Sequence, residues 1–481
     1  MTTALSTSQT SPAMTGLSAP PATRFDAVVI GAGPAGAAVA ILLARAGWSV
    51  ALVEKQVFPR RKVCGECIAA SNWPLLNALG VNTDQAGAPL QHVVLMRGHN
   101  SVSADMPVAE HRSHAWGRAL GRETLDTLLV AQARAAGAQV FQPCSVREVK
   151  GGAGDWRLKI RPVQGGGEFR LHASVAIAAH GSWETLPSAR ALRRPRRPSD
   201  LFAFKANFRN TALAAGVLPV LAFAGGYGGM VVAGDGVTTL ACCIRRDVLD
   251  AFRAQWPALR AGDAVQALLT QACTGVQLAL RGATRDGAWM AAGPIAPGIR
   301  LSAADGMFRV GNAAGEAHPI IGEGMSMALQ SAWLLCGELL GLKGSVQVAP
   351  VHTPSAQTQA LMARRYAKQW RREFAPRMRL AAAFAHVAMR PALSHVLMSI
   401  VQARPSLLTL GARLGGKVRC AADPAHIEAV LRTPLQTAAA AHAHDALHAT
   451  AHLHATAHLH ASAHLHSPAF KPSATLRFTP D

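Results

Sequence analysis

The chain has 481 residues, of which 50% are hydrophobic and 16% are charged. This length is typical of about two to three domains, and the apolar content excludes a wholly disordered chain. Lys and Arg outnumber Asp and Glu by 48 to 27, a formal net charge of +21. No nucleic-acid-binding motif accompanies that charge, so we expect no nucleic-acid partner. The eight cysteines are too sparse for a secreted disulfide scaffold, and we expect a cytoplasmic protein.

The N-terminal part of the chain follows a strand, loop, helix and strand pattern. The apolar run Phe25–Ile30 predicts a buried strand, the Ala-rich run Ala37–Ala46 a helix, and Trp48–Val53 a second strand. The first loop reads G-A-G-P-A-G, and the second strand is followed by Glu54. This is the setting in which G-x-G-x-x-G indicates a dinucleotide site.

Each residue of that loop has a distinct physical role. Gly31 permits the tight turn, Gly33 lets the backbone approach a pyrophosphate, and Gly36 lets helix and strand pack closely. The pyrophosphate is expected at the helix N-terminus near Ala35, where N–H groups are free. Glu54 can accept hydrogen bonds from ribose hydroxyls, and its charge disfavours the 2′-phosphate of NADP at this site.

Later segments show a different alternation of elements. Residues 96–290 alternate short apolar runs with turns, and runs such as Trp156–Ile160 and Phe169–Ala179 predict an inserted mixed sheet. Residues 305–340 return to strand, Gly-rich loop and helix, and residues 359–432 follow a helical pattern.

Three segments carry a family resemblance. They are Gly31–Gly36 with Glu54, Arg60–Glu66, and Arg309–Gly315 continued through Gly322–Met325. Over roughly residues 24–400 the chain resembles the FAD-dependent oxidoreductases of the geranylgeranyl reductase and aromatic hydroxylase superfamily. The resemblance implies an α/β fold with a Rossmann-like FAD-binding domain, an inserted mixed-sheet substrate domain and C-terminal helices.

The same pattern predicts six segments. They are a disordered tail at 1–23, FAD-binding residues at 24–95, the remaining FAD-domain helix and the inserted substrate domain at 96–290, a second FAD-binding part at 291–345, a helical region at 346–435 and a low-complexity, His-rich tail at 436–481. The tail repeats its histidines every six residues, which fits neither a heptad nor a strand, and we predict no dedicated metal site.

The resemblance also implies a set of FAD contacts and an electron donor, NAD(P)H. Besides the first loop and Glu54, the set contains Lys55, Arg61, Cys64, Gly65, Arg118, Gly311, Asn312, Gly322, Gly324 and Met325. Two positions depart from the family pattern. Asn312 stands where an acid is usual, and His180 replaces the usual Asp of the middle motif, which bears on how NAD(P)H docks.

Tyr227 and His318 are the catalytic candidates. Tyr227 lies in a Gly-rich segment, where the family's reductases carry a Gly-Tyr-x-Trp segment over the substrate cavity, although the Trp is missing here. The tyrosine is either a proton donor or a packing residue. His318 adjoins the second FAD motif, where its ring can face the substrate side of the flavin.

Several reactions remain open at this point. We predict hydroxylation of a hydrophobic aromatic or polyketide-like molecule with NAD(P)H and O2, with reduction of isoprenoid double bonds as the alternative. A disulfide reductase using Cys64 and Cys67 is a further alternative, although a second nucleotide-binding unit and a C-terminal His–Glu pair are missing. The absent Trp-x-Trp segment disfavours a halogenase, and a non-enzymatic flavin-binding protein would keep the same FAD contacts.

The basic segment Arg364–Arg379 precedes the apolar run Leu380–Phe384. This combination predicts peripheral contact with an anionic membrane surface, at the inner membrane face, and its alternative is a solvated basic face of a packed helix.

Overall fold

The computed structural model describes residues 23–82, 84–109, 114–182, 195–301, 305–341 and 353–418. These residues all belong to one folded unit. Most of the predicted N-terminal tail, the predicted His-rich tail at 436–481 and the end of the predicted helical region lie outside the described residues.

The described part of the chain contains eighteen strands and ten α-helices. The strands are β1 Thr23–Ile30, β2 Val50–Val53, β3 Cys67–Ile68, β4 His92–Arg97, β5 Asn100–Asp105, β6 Arg118–Ala119, β7 Gln139–Phe141, β8 Cys144–Gly152, β9 Asp155–Pro162, β10 Phe169–Ala178, β11 Leu201–Arg209, β12 Val217–Phe223, β13 Gly226–Val232, β14 Thr238–Arg245, β15 Thr284–Ala292, β16 Gly298–Ile299, β17 Phe308–Arg309 and β18 Gly315–Glu316. The helices are α1 Pro34–Arg45, α2 Trp73–Ala78, α3 Arg122–Ala135, α4 Arg246–Gln255, α5 Ala261–Ala272, α6 Thr274–Ala279, α7 Gly324–Leu339, α8 Ala356–Ala388, α9 Pro391–Ala403 and α10 Ser406–Leu414.

The first sheet has the order β7-β2-β1-β10-β9-β8, with β17 also paired to β10. The pairs β1–β2, β2–β7, β1–β10 and β10–β17 are parallel, whereas β8 and β9 add an antiparallel hairpin. Helices α1, α3 and α7 pack on one another beside this sheet. Helix α1 is rich in Ala and almost wholly buried, so strand and helix can approach closely.

The second sheet has the order β15-β11-β14-β13-β12-β4-β5. It is mixed because β4 and β12 are parallel while its other neighbours are antiparallel. One apolar layer joins this sheet to α4, α5 and α6. A second layer joins it to α8 and α9, so the C-terminal helices cover its other side.

The Rossmann-like sheet, the mixed second sheet and the C-terminal helices confirm the predicted fold class. One expectation was wrong: Trp156–Ile160 and Phe169–Ala179 contribute β9 and β10 to the first sheet rather than to the second. Strand β10 pairs with β1, β9 and β17 and is buried along most of its length. A buried apolar run indicates a strand but does not indicate which sheet it joins.

Among the described residues, no single helix is long and apolar enough to cross a membrane. Helices α8 and α9 reach that length and hydropathy only as a pair, and the pair is bent by 104°.

Candidate functional site

A cavity of about 920 Å³ lies between the two sheets. The loops that follow β1 and β2 form one end, together with the N-terminus of α7. Strands β12, β13 and β14 and helices α8, α9 and α10 form the other end. We call the first end the nucleotide half and the second end the substrate half.

Two glycines of the first loop are required by packing. Gly31 has a φ of +103°, and a Cβ there would lie 2.6 Å from the Ala179 carbonyl oxygen. A Cβ on Gly36 would lie 1.9 Å from the Gly31 carbonyl oxygen, so only glycine fits. Gly33 differs, because its nearest neighbour would be an Arg122 nitrogen at 3.7 Å. Gly33 therefore leaves open space toward the cavity.

Two helix N-termini border the nucleotide half. Helix α1 follows Gly33, and α7 follows the left-handed residue Gly322, whose φ is +63°. Neither helix has a side-chain cap or an acidic residue in its first turn. Their N–H groups and positive dipole ends therefore remain available to an anion. This arrangement fits a pyrophosphate at α1 and the electron-rich carbonyls of a flavin ring at α7.

Glu54 lies buried at the carboxyl end of β2 and borders the cavity. One carboxylate oxygen accepts the Ala32 N–H at 2.9 Å, and the other accepts the Gln56 N–H at 2.8 Å. Arg60 lies 3.6 Å from the same carboxylate. These contacts hold Glu54 in place before any ribose binds, which is the preorganisation a dinucleotide site needs.

Arg122, the first residue of α3, is one of the arginines that border this half. Its buried guanidinium donates two hydrogen bonds to Asp126, at 2.8 and 2.7 Å. Burial lowers the pKa of Arg122, but the Asp126 carboxylate outweighs this effect and the net shift is upward. The guanidinium therefore stays charged beside Gly33 and can attract phosphate.

The structure places Arg118 and Arg61 away from the cavity. Arg118 donates to the Gly87 carbonyl at 3.0 Å, and Arg61 pairs with Glu123 and Asp286. Arg122 and Arg60 border the cavity instead. The sequence did contain a signal for Arg122. Arg122 and Asp126 are four residues apart, which is the helical spacing at which opposite charges pair.

The other predicted FAD contacts converge on this cavity, except Gly36, which serves helix packing. Those that line it are Gly31, Gly33, Ala35, Glu54, Lys55, Cys64, Gly65, Gly311, Asn312, Gly322, Gly324 and Met325.

A polar chain surrounds Asn312, the residue that departs from the family pattern. Asn312 Nδ2 donates to Ser182 Oγ at 2.8 Å, and Ser182 Oγ donates to Glu316 Oε1 at 2.9 Å. Glu316 is buried, borders the cavity and lies 3.2 Å from Arg300. A carboxylate is therefore present near this motif, four residues after the expected position, and sequence comparison with the family motif did not identify it.

The two catalytic candidates, Tyr227 and His318, are in contact. The Tyr227 hydroxyl lies 3.1 Å from His318 Nδ1, and both side chains border the cavity. Burial raises the pKa of Tyr227 well above its ordinary value and lowers the pKa of His318. At neutral pH the tyrosine is therefore protonated and the histidine uncharged. The histidine tautomer decides which of the two donates this hydrogen bond.

Cys64 and Cys67 are both free thiols. Both thiols border the cavity, Cys67 is the more buried of the two, and burial raises the pKa of its thiol. Lys417 Nζ lies 3.9 Å from Cys67 Sγ and 3.1 Å from Glu323 Oε1, and it donates to the Gly322 carbonyl. This buried lysine, 350 positions from Cys67, was not identified from the sequence.

The chain resembles known flavoproteins over most of the described unit. A family described as "FAD binding domain" matches residues 24–371. Digeranylgeranylglycerophospholipid reductase 1 of Methanopyrus kandleri is 24% identical over 371 residues, covering 73% of this chain and 87% of that protein. The menaquinone reductase of Mycolicibacterium smegmatis is 33% identical over 127 residues, covering 26% of this chain and 31% of that protein. The chain spans less than a third of the length of the first curated relatives that it matches.

The myxobacterial chondrochloren halogenase has a similar structure, with a TM-score of 0.64 at 19% identity, covering 86% of this chain and 97% of that one. At that identity the likeness shows a shared fold. The family match runs through both glycine loops, and the site supplies two open helix N-termini and a preorganised ribose carboxylate. The chain therefore belongs to the FAD binding domain family, and FAD is the cofactor that its nucleotide half fits.

Proposed function

We propose that this protein is an FAD-dependent oxidoreductase that reduces carbon–carbon double bonds in a hydrophobic, isoprenoid-like molecule. The observation that carries the proposal is the hydrogen-bonded pair of Tyr227 and His318, which borders the cavity where apolar side chains form the wall. From the sequence we predicted hydroxylation, with reduction of isoprenoid double bonds as the alternative. The geometry of the Tyr227–His318 pair supports the reduction.

The substrate half suits a long apolar molecule. Its wall includes Val93, Leu95, Ile295, Phe384, Val387 and Leu397, from both the second sheet and the C-terminal helices. Such a wall gains free energy by removing apolar surface of the ligand from water, at roughly 25 cal/mol per Å². It also excludes water from the reacting carbons.

Reduction of a double bond requires a hydride at one carbon and a proton at the other. Bound FAD supplies the hydride chemistry. Tyr227 supplies the proton, since its raised pKa keeps the hydroxyl protonated at neutral pH. The contact with His318 Nδ1 at 3.1 Å holds the hydroxyl at a defined position beside the cavity. NAD(P)H remains the predicted electron donor.

Two of the curated relatives support this choice of reaction class. The Methanopyrus kandleri protein, matched over 87% of its length, is named as a reductase of a geranylgeranyl-bearing phospholipid, and the mycobacterial protein as a menaquinone reductase. The buried Cys67 thiol, whose pKa is raised, makes a disulfide reductase a weaker candidate.

A product assay tests the proposal. The FAD-loaded protein is reduced with dithionite without oxygen and mixed with geranylgeraniol, and the products are analysed by mass spectrometry. We expect saturation of one or more double bonds, each adding two hydrogen atoms. A parallel aerobic reaction with NADPH and an aromatic acceptor tests hydroxylation. A product that gains one oxygen, with no saturated geranylgeraniol, would overturn the proposal in favour of the monooxygenase.

A further inference from the structure

Helices α9 and α10 present an apolar outer surface, which we call the α9–α10 face. Five exposed aliphatic side chains form it, with exposed fractions between 41% and 58%: Leu393, Val396, Ile400, Leu410 and Leu414. Helix α10 has no buried residue, and α9 has only three. A concentration of exposed apolar side chains of this kind marks an interaction site more often than an ordinary solvent-exposed surface.

The helices that carry the α9–α10 face have charge of one sign, and the nearby exposed acid is Asp105 of β5, whose carbonyl accepts the Thr409 hydroxyl and whose carboxylate lies 3.1 Å from His92. The sequence from residue 374 to residue 418 contains no Asp or Glu. Arg390 and Arg404 are exposed at the two ends of α9, and Arg413 is exposed on α10. None of these three arginines forms an ion pair within the described ranges of the chain. Their charge is therefore available to an anionic partner.

The same two helices also form part of the cavity wall. Leu397, Val401 and Leu408 border the substrate half, while Val396, Ile400 and Leu410 point outward. One thin helical layer thus separates the apolar cavity from the apolar outer surface. A ligand that reaches the cavity through this layer passes from one apolar environment to another.

We propose that the α9–α10 face adsorbs to an anionic lipid bilayer, with its aliphatic side chains inserted among the acyl chains and its arginines at the phosphate level. Aliphatic groups gain free energy by leaving water, and each basic residue near an anionic surface adds to the attraction. The sequence had placed membrane contact on the basic segment Arg364–Arg379. That segment lies on α8, where Trp370 and Phe374 are buried against the protein and six of the seven basic residues are exposed. The α9–α10 face adds the exposed aliphatic side chains that α8 lacks there.

This inference goes beyond the proposed reaction, because adsorption does not depend on which bond is reduced. The test is flotation of the FAD-loaded full chain with two kinds of vesicle, phosphatidylcholine alone and phosphatidylcholine mixed with phosphatidylglycerol. No substrate is added, so failure of adsorption and failure of the proposed reaction remain distinguishable.

We expect the wild type to float with the anionic vesicles and weakly with the neutral ones. The double variant I400E/L414E should lower the bound fraction by at least about tenfold, because two carboxylates replace two inserted side chains. The variant R404Q/R413Q should lose the preference for phosphatidylglycerol. The matched control L278E, at a leucine of α6 that is 56% exposed, should bind like the wild type.

Three results would overturn the inference. The first is a wild type that floats with neither kind of vesicle. The second is a loss of vesicle binding in L278E as large as that in I400E/L414E. The third is vesicle binding in I400E/L414E that equals that of the wild type. If, in addition, I400E/L414E converted a dimer to a monomer in light scattering, a second copy of the chain would be the occupant of this face. Thermal melts of each variant show that it is folded.

Discussion

The two halves of the cavity are built on different principles. The nucleotide half holds its charges in fixed pairs, such as Arg122 with Asp126 and Lys417 with Glu323. The substrate half is apolar, and Tyr227 with His318 is its notable polar pair. A cofactor of known charge can be met by preorganised polar groups, whereas a flexible apolar substrate is met by shape and by exclusion of water.

This contrast predicts that substitutions in the nucleotide half lower stability or FAD affinity, while substitutions in the substrate half lower turnover. The following experiments test it, in order of decreasing expected effect.

Lys417→Met should lower the free energy of unfolding by about 3–5 kcal/mol, because Glu323 would be left as an unpaired buried charge. Urea denaturation of the wild type and the variant measures the change. The double variant K417M/E323Q should recover part of the loss, since no uncompensated carboxylate remains. A loss below about 1 kcal/mol would show that this pair contributes little.

Gly33→Asp should weaken FAD binding by at least about 100-fold, because a carboxylate at the start of α1 would occupy the anion position. The fold should persist, since the nearest atom to a new Cβ is the flexible Arg122 side chain at 3.7 Å. Titration with FAD, followed by flavin fluorescence, measures the affinity. Gly33→Ala is the matched control, and a yellow G33D protein would contradict the assignment of this loop.

Tyr227→Phe should reduce turnover of an unsaturated substrate by about 100-fold through loss of the proton donor. FAD affinity should not change, because Tyr227 belongs to the substrate half. Steady-state turnover and FAD titration on the same preparation separate the two effects. Unchanged turnover would return Tyr227 to a packing role.

His318 should make the smallest contribution, one that depends on pH. Burial lowers the pKa of His318 in the folded state. As the pH falls, the unfolded chain therefore binds a proton at His318 before the folded protein does. Stability should therefore fall as the pH drops below about 6.5, the ordinary histidine value, and show no His318 effect above it. Melting temperatures of wild type and His318→Gln at pH 7.5 and 5.5 test this. An identical pH dependence in both proteins would contradict it.

The nucleotide half could largely be predicted from the sequence because its signals are local. Gly31, Gly33 and Gly36 lie within six residues, and Glu54 closes the same strand–helix–strand unit. The physical demands of a tight turn and a close helix approach select glycine at those positions. A single chain segment therefore contains both the fold signal and the binding signal.

The contacts between distant parts of the site could not be predicted, because separate segments of the chain assemble them. Lys417 reaches Gly322 from 95 positions away, and Ser182 reaches Glu316 from 134 positions away. Tyr227 and His318 were separate candidates, and their contact depends on β13 lying beside the loop that precedes α7. Spacing along the chain contains no information about such contacts before the fold is known.

Glu66, directly before β3, joins helix α3 to the second sheet. Its φ of +56° is rare for a residue with a side chain, and its buried carboxylate meets partners from α3 and from the second sheet. One oxygen accepts the Arg122 N–H and pairs with Lys205 of β11, and the other accepts the Thr239 hydroxyl of β14. Recombination that exchanges the second sheet between relatives must therefore carry a cation at position 205. Without one, the chimaera would retain a solitary anion at the junction and lose stability there, whatever the quality of its new substrate pocket.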